Sequence, residues 1–245
     1  MRLNSTLTFI FLFVSAALSG PLREKDQSWV PNLVKKSTNG ASDDINYNPL
    51  LAGAYWEETN GTFNFATATF KVPVSSGQDG SYGMMVGIDG ITCESWFTAG
   101  ISCNVIDGRT NQCDVWSEWS DNKLYYSELI APGDVLRAAL NVADGARSGV
   151  AILENLTNGQ TVLQPYNAPQ PLCGRIAMWG VGINQANASI PFDTVTIEDA
   201  MAYGPSSPRT YKAAGARKME FSQENKVVRA SVDTEESSII IKRLQ

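Results

Sequence analysis

Histidine is missing from all 245 residues of the chain. Its absence excludes Ser-His-Asp and Cys-His catalytic arrangements, together with every zinc site that uses an imidazole ligand. Charged residues are also sparse, at 18% of the chain, which excludes a coiled coil and a charged disordered tail. If this chain is a hydrolase, it must therefore work with carboxylates, amides or hydroxyl groups.

Positive charge is scarce over the central part of the chain. Between Ser37 and Ser206, six Lys and Arg residues stand against eighteen Asp and Glu residues. Such a surface repels phosphate backbones, so nucleic acid is not an expected partner. The excess of carboxylates fits a protein that works in acid, where protonation reduces self-repulsion; simple solubility is the alternative explanation.

The first 19 residues have the pattern of a secretory signal peptide. A basic start at Met1-Arg2 is followed by the apolar run Leu7–Leu18, with small residues at Ala17 and Ser19 for cleavage. About 20 apolar residues are needed to span a bilayer, so we expect no membrane anchor and a secreted, extracellular protein. Residues 20–46 are polar and aperiodic, which predicts a propeptide or disordered spacer with a candidate dibasic cleavage site at Lys35-Lys36.

Secretion makes disulfides the expected state of the four cysteines, and three pairings are possible. Cys103 and Cys113 flank Asp107-Gly108-Arg109, a hairpin signal. A three-residue loop there places the two cysteines opposite each other. We therefore predict the pairs Cys103–Cys113 and Cys93–Cys173.

Three Asn-X-Ser/Thr sequons follow the signal peptide, at Asn60, Asn155 and Asn187. Each predicts an accessible loop or strand end if it carries a glycan.

Short β-rich stretches separated by turn signals fill residues 47–245, which we interpret as a single domain. Residues 62–72 alternate apolar and polar side chains, and Gly-containing turns such as Asp79-Gly80 and Asp144-Gly145 punctuate the chain. No segment is a convincing amphipathic helix, and residues 218–244 form a terminal meander of three strand-like pieces. The pattern predicts an all-β fold, an antiparallel two-sheet β-sandwich.

Two carboxylates are candidates for acid-base chemistry. Glu118 lies between Trp116 and Trp119 in a predicted strand, and Asp89 ends another strand. If Glu118 points inward, burial should raise its pKa, and paired carboxylates in a cleft can support hydrolysis. The alternative is that each carboxylate is a separate structural group, hydrogen-bonded to backbone.

Seven segments, taken in order over roughly residues 50–242, resemble the eqolisins, the fungal glutamic peptidases. The resemblance implies a secreted concanavalin A-like or jelly-roll sandwich and an acid endopeptidase ancestry without metal or cofactor. It also implies a polypeptide or extracellular polymer as ligand, and we expect a monomer. The segments are Leu51-Ala-Gly-Ala54, Val86-Gly-Ile-Asp-Gly90 with Thr92-Cys93-Glu94, Asp114-Val-Trp-Ser-Glu-Trp119, Pro132-Gly-Asp134, Ala151–Gln160, Leu172-Cys173 with Ala177 and Trp179, and Phe192–Thr196.

The departures from the family pattern fall on its two catalytic residues. The family carries a catalytic Gln in a Gln-Thr-Gly triplet, and this chain has Thr98-Ala99-Gly100 there, with one residue fewer after Cys93. The family carries a catalytic Glu between Ala and Trp, five residues after a Cys, and this chain has Met178. The resemblance therefore makes Thr98 and Met178 the substituted dyad, with Glu118 and Asp89 retained.

These substitutions predict a groove that binds rather than hydrolyses. A methionine thioether neither titrates nor donates a strong hydrogen bond, and apolar grooves favour binding. The candidate ligand-binding residues are Trp96, Trp116, Trp119, Trp179 and Met85, of which Met85 replaces a family Trp.

Two other hypotheses remain open at this stage. One is an active acid endopeptidase whose base has moved to Glu118 or Asp89. The other is a glycan-binding module that uses the tryptophans of the sandwich. Exposed Trp96, Trp116 and Trp119 favour binding, whereas burial favours packing.

Overall fold

The computed structural model describes residues 45–74, 78–126, 129–183, 189–205, 207–222 and 228–244. Within these ranges every regular element is a β-strand, which confirms the all-β prediction. Among the described residues there is no helix with the length and hydrophobicity needed to cross a membrane. The strands are β1 (Ile45–Asn48), β2 (Leu51–Glu57), β3 (Phe65–Lys71), β4 (Gly80–Asp89), β5 (Trp96–Ile106), β6 (Arg109–Trp119), β7 (Asn122–Tyr126), β8 (Val135–Val142), β9 (Ser148–Asn155), β10 (Thr161–Asn167), β11 (Ile176–Ile183), β12 (Thr194–Gly204), β13 (Ser207–Lys212), β14 (Arg217–Ser222), β15 (Val228–Thr234) and β16 (Ile239–Arg243).

Fourteen of the sixteen described strands form one continuous hydrogen-bonded path that folds into two packed layers, while β1 pairs with β14 and β13 with β12 beside it. The order along the path is β10-β9-β8-β3-β12-β16-β15-β14-β2-β11-β4-β5-β6-β7. All neighbours pair antiparallel except β1, which runs parallel to β14. Strands β3, β8 and β9 pack against β4, β5 and β11, so the predicted two-sheet sandwich is confirmed.

The core lies between the layers and follows from strand alternation. Strand β9 alternates strictly between partly exposed and buried positions, because successive side chains of a strand point to opposite faces. Strand β11 is buried at all eight positions. Its Trp179 reaches the other layer, where its Nε1 donates to the Thr67 carbonyl at 2.8 Å.

The first and last strands that the structure describes are β1 and β16. Strand β1 includes Ile45 and Asn46, two residues that lie before the predicted domain start at residue 47. Strands β14, β15 and β16 are the three pieces of the predicted terminal meander.

Both predicted disulfides are present, Cys93–Cys173 and Cys103–Cys113. The three-residue loop used to predict the second pair is wrong. The hairpin closes through the two-residue turn Asp107-Gly108, and both residues have positive φ, as type I′ hairpin turns require. A one-residue bulge at Asn111 shifts the register so that Cys103 still pairs with Cys113.

The structure contradicts the predicted accessibility of Asn155. Its side chain is fully buried, and its Nδ2 donates to the Leu129 carbonyl at 2.9 Å and to Asp134 Oδ2 at 2.8 Å. Nδ2 is the atom that carries an N-linked glycan, and here both of its hydrogens are engaged. Asn60 is exposed in a turn, and Asn187 lies outside the described residues.

Candidate functional site: a groove on the outer face of one layer

One row of side chains crosses the outer face of the layer that contains β4, β5 and β11. The row contains both substituted dyad positions. Residues paired across neighbouring strands point to the same face. At about 4.8 Å per strand the row spans about 29 Å. From β7 to β14 the row, here called the groove row, consists of Lys123, Glu118, Thr98, Gly87, Met178, Tyr55 and Arg217.

Thr98 and Met178 lie on either side of Gly87 in the groove row. A Cβ added to Gly87 would come within 2.7 Å of Met178 Cε and 3.0 Å of Thr98 Cγ2. The two side chains therefore meet over the glycine and share one site, as the resemblance implied. Both are buried, Thr98 completely and Met178 to 3% exposure.

Apolar side chains surround Met178 and form a cluster separate from the main core. A small hollow of about 10 Å³ lies among Met85, Met178, Met219 and the backbone of Gly53 and Gly180. None of these groups carries a charge. The groove cluster consists of Leu51, Tyr55, Met85, Trp116, Tyr125, Ile176, Met178 and Met219.

Glu118 is buried at the β7 end of the groove row and is held by two donors. Trp96 Nε1 donates to Oε1 at 3.3 Å, and Lys123 Nζ lies 3.6 Å from Oε2. Lys123 Nζ also sits 4.3 Å from the centre of the Trp116 ring. Burial lowers the pKa of Lys123 to about 8, and the Glu118 carboxylate opposes this shift.

Sequence reasoning missed Lys123. Strands β6 and β7 are joined by the two-residue turn Ser120-Asp121, which sets Glu118 opposite Lys123. That spacing, five residues apart around a tight turn, was a usable signal for a cross-strand ion pair.

Asp89 does not join the groove as a free carboxylate. Its Oδ2 accepts from the Gly174 amide at 2.7 Å, and its Oδ1 accepts from the amides of Arg175 at 2.8 Å and Ile176 at 3.2 Å. Burial raises the pKa of Asp89, and these amide hydrogen bonds oppose the rise. This corrects the proposal that Asp89 activates water, because it instead fixes the segment that leads into β11.

Asp89 also lies beside the disulfide Cys93–Cys173. The two sulfurs are bonded to each other and are not available as metal ligands.

The tryptophans lie on both faces of this layer. Two that were predicted to line the groove, Trp119 and Trp179, lie on the core face instead. Trp119 stacks on Phe97 at 4.6 Å between the layers, and Trp179 is anchored in the core. Neither lines the groove. Trp116 belongs to the groove cluster and is fully buried, and the partly exposed Trp96 contacts Glu118.

The β14 end of the groove row carries a second ion pair. Arg217 Nη1 lies 2.8 Å from Glu57 Oε2, and both side chains are partly exposed. Asn46 Nδ2 donates to Tyr55 Oη at 2.5 Å. Opposite charges are therefore balanced at both ends, and the middle of the groove is apolar.

Comparisons with known proteins agree with this geometry. The model of the Peptidase A4 family matches residues 49–243. The chain is 29% identical to Aspergillopepsin-2 of Aspergillus niger, over 91% of this chain and 94% of that protein. It is 34% identical to Scytalidopepsin B of Scytalidium lignicola, over 43% and 40% of the two chains.

Solved structures show the same fold. Scytalido-glutamic peptidase, bound to a peptide-based transition state analog, superposes with a TM-score of 0.65 at 22% identity, covering 80% of this chain and 98% of that one. Aspergilloglutamic peptidase of Aspergillus niger gives a TM-score of 0.58 at 27% identity, covering 68% and 100%.

Proposed function

The chain belongs to the Peptidase A4 family, and from this membership we propose that it is a secreted, eqolisin-like protein that no longer hydrolyses peptide bonds. Its groove is kept as a binding site for peptide or another extracellular polymer. The predicted signal peptide supports secretion, and so do the two disulfides, which persist in oxidising compartments.

The observation that carries the proposal is the Met178 side chain beside Thr98 over Gly87. In the family mechanism the Glu at the Met178 position activates water, and the Gln at the Thr98 position helps to stabilise the oxyanion. General-base assistance supplies about 10²–10⁴ in rate, and one oxyanion donor supplies about 10²–10³. The two effects belong to one catalytic unit and are not multiplied, but losing the base alone removes most of the rate.

The surroundings of the two retained carboxylates argue against a relocated base. Asp89 accepts three backbone amides, and Glu118 is engaged by Trp96 and Lys123. A general base must reach a water at the reacting carbon, and both carboxylates are already committed to protein partners.

The burial of Trp116 and Trp119 argues against the glycan-binding hypothesis. A sugar platform presents an aromatic face to solvent, and these two rings are packed against protein.

The test is a cleavage assay on the secreted, purified chain. Denatured protein substrate incubated over about pH 2–6, the range in which carboxylates titrate, should show no new peptide termini above a blank. Pepstatin-resistant cleavage that disappears in Glu118→Gln would contradict the proposal and favour the active endopeptidase. Retention on insoluble polysaccharide that is lost in Trp96→Ala would favour the glycan-binding module.

A further inference from the structure

The two disulfides differ in their access to solvent. Cys173 is exposed and Cys93 is half-buried, whereas Cys103 and Cys113 are only 1% and 4% exposed. A thiol must reach a sulfur atom before it can exchange with a disulfide, and exposed disulfides are the labile ones. The Cys93–Cys173 bond is therefore the one of the two that a dissolved thiol can attack in the folded protein.

The chain that leads into β11 is held in place by contacts other than the disulfide. Asp89 accepts from the three amides of residues 174–176. The amides of Phe63 and Glu58 donate to carbonyls of the same segment at 2.8 Å each. None of these hydrogen bonds involves a sulfur atom, so this side of the disulfide stays folded when the bond opens.

The loop that carries Cys93 is anchored on its other side as well. Ser95 Oγ lies 3.0 Å from Ser120 Oγ, and the Ser120 amide donates to the Trp96 carbonyl at 2.8 Å. These contacts join the end of the loop to the turn between β6 and β7. With both flanks fixed, breaking the S–S bond does not require the sandwich to unfold.

A buried carboxylate sets the charge beside the disulfide. An oxygen of Asp89 lies within 4.8 Å of both sulfurs, and the three amides that it accepts stabilise its ionised form. Glu94 and Arg175, the charged residues next along the chain, are exposed and of opposite sign. The Asp89 charge is therefore left over, and it favours a neutral or cationic thiol over an anionic one.

We propose that Cys93–Cys173 is a thiol-exchange site of the folded protein. A small thiol without negative charge attacks, as its thiolate, the sulfur of Cys173, the more exposed cysteine. An S–S bond forms between the thiol and Cys173, the Cys93–Cys173 bond breaks, and its electron pair leaves with Cys93 Sγ, which takes a proton from water. One disulfide replaces another, so no oxidant is consumed. The inference is independent of the proposed function, because it uses neither Thr98 nor Met178.

The first test maps the cysteines of the folded wild-type chain after treatment with cysteamine, a cationic thiol, at about pH 8, near the pKa of ordinary thiols. Free thiols are then alkylated, and the peptides are identified by mass spectrometry. We expect cysteamine on Cys173, alkylated Cys93 and an intact Cys103–Cys113 bond. An unmodified chain, equal loss of both disulfides, or cysteamine on Cys93 instead would overturn the inference.

A pair of oppositely charged thiols tests the class of thiol. Cysteamine and mercaptoacetate are compared at equal thiolate concentration, and each rate is divided by the rate of the same thiol with hydroxyethyl disulfide, which is neutral. One carboxylate about 8 Å from the thiol's charge should favour cysteamine about 5-fold in water. The preference should shrink in about 1 M salt. Equal normalised rates would contradict the assigned thiol class.

Cys93→Ser and Cys113→Ser form a matched pair of variants. The first leaves Cys173 as an exposed free thiol, and the second leaves Cys103 as a buried one. A neutral pyridyl disulfide should react with the first at least about 10²-fold faster, since the buried thiol reacts only through local opening. A melting curve shows that each variant is folded during the assay. Equal reactivity of the two folded variants would contradict the proposal, and the wild-type mapping decides it if either variant does not fold.

Discussion

The two faces of strand β11 are equally buried but contact different parts of the molecule. Ala177, Trp179 and Val181 point into the main core, whereas Ile176 and Met178 belong to the groove cluster. Burial alone therefore does not separate structure from function here. On the core face, the Trp179 indole fills space between the layers and donates one hydrogen bond. On the groove face, the apolar side chains of β11 share the surface with an ion pair and with buried polar groups without a hydrogen-bond partner, all on neighbouring strands.

Truncating a side chain on the core face of β11 should have the largest effect on stability and tests the contrast between the two faces most strongly. Trp179→Ala removes a fully packed indole and its hydrogen bond to Thr67, which should cost about 3–5 kcal/mol of unfolding free energy. Urea denaturation measures the change. A loss below that of any groove variant would contradict the assignment of Trp179 to the core.

Removing the Asp89 side chain should have the next largest effect. Asp89→Ala leaves the amides of residues 174–176 without their acceptor, at a cost of about 2–3 kcal/mol. Asp89→Asn is the control, because it keeps one acceptor oxygen and should lose less. If both variants unfold at the wild-type urea midpoint, Asp89 does not fix this segment.

On the groove face, Met178→Leu should be nearly neutral. The side-chain volume is conserved, so we expect a loss below about 1.5 kcal/mol, measured by the same denaturation. A loss as large as that of Trp179→Ala would show that Met178 is a core residue and would remove the contrast between the two faces.

The charged end of the groove should show itself in the pH dependence of stability. The folded-state pKa of Lys123 is about 8, below its ordinary 10.5, so the unfolded chain holds this proton more tightly. Between these pH values stability should rise with pH relative to Lys123→Met. Thermal melts of both proteins from pH 7 to about 10.5 measure the difference, and a constant difference would contradict the buried position of the ammonium group.

The residue pattern predicted the features that depend on residues close to one another in the sequence. The alternation over residues 62–72 predicted a strand, and β3 runs from Phe65 to Lys71 within it; both predicted cysteine pairs are also present. These features depend on period, turn chemistry and spacing, which sequence carries directly.

The features that the sequence did not predict depend on contacts between distant segments. The Asn155 sequon predicted an accessible loop or strand end, yet the side chain is buried and its amide donates to the Leu129 carbonyl and to Asp134. Trp116 and Trp119 are three positions apart on β6, so their side chains point to opposite faces of the strand. Only the packing of the layers shows that Trp116 faces the groove and Trp119 faces the core. The role of Asp89 likewise needs the fold, since its partners lie about 85 residues away.

The most direct test of the account restores the two family residues at once. Thr98→Gln with Met178→Glu should give a protein that cleaves denatured substrate in acid, at a rate at least about 10²-fold above the wild-type chain. The comparison requires equal amounts of folded protein and a count of new peptide termini. Cleavage by the wild type at the rate of the double variant would contradict the claim that Met178 and Thr98 silence the site.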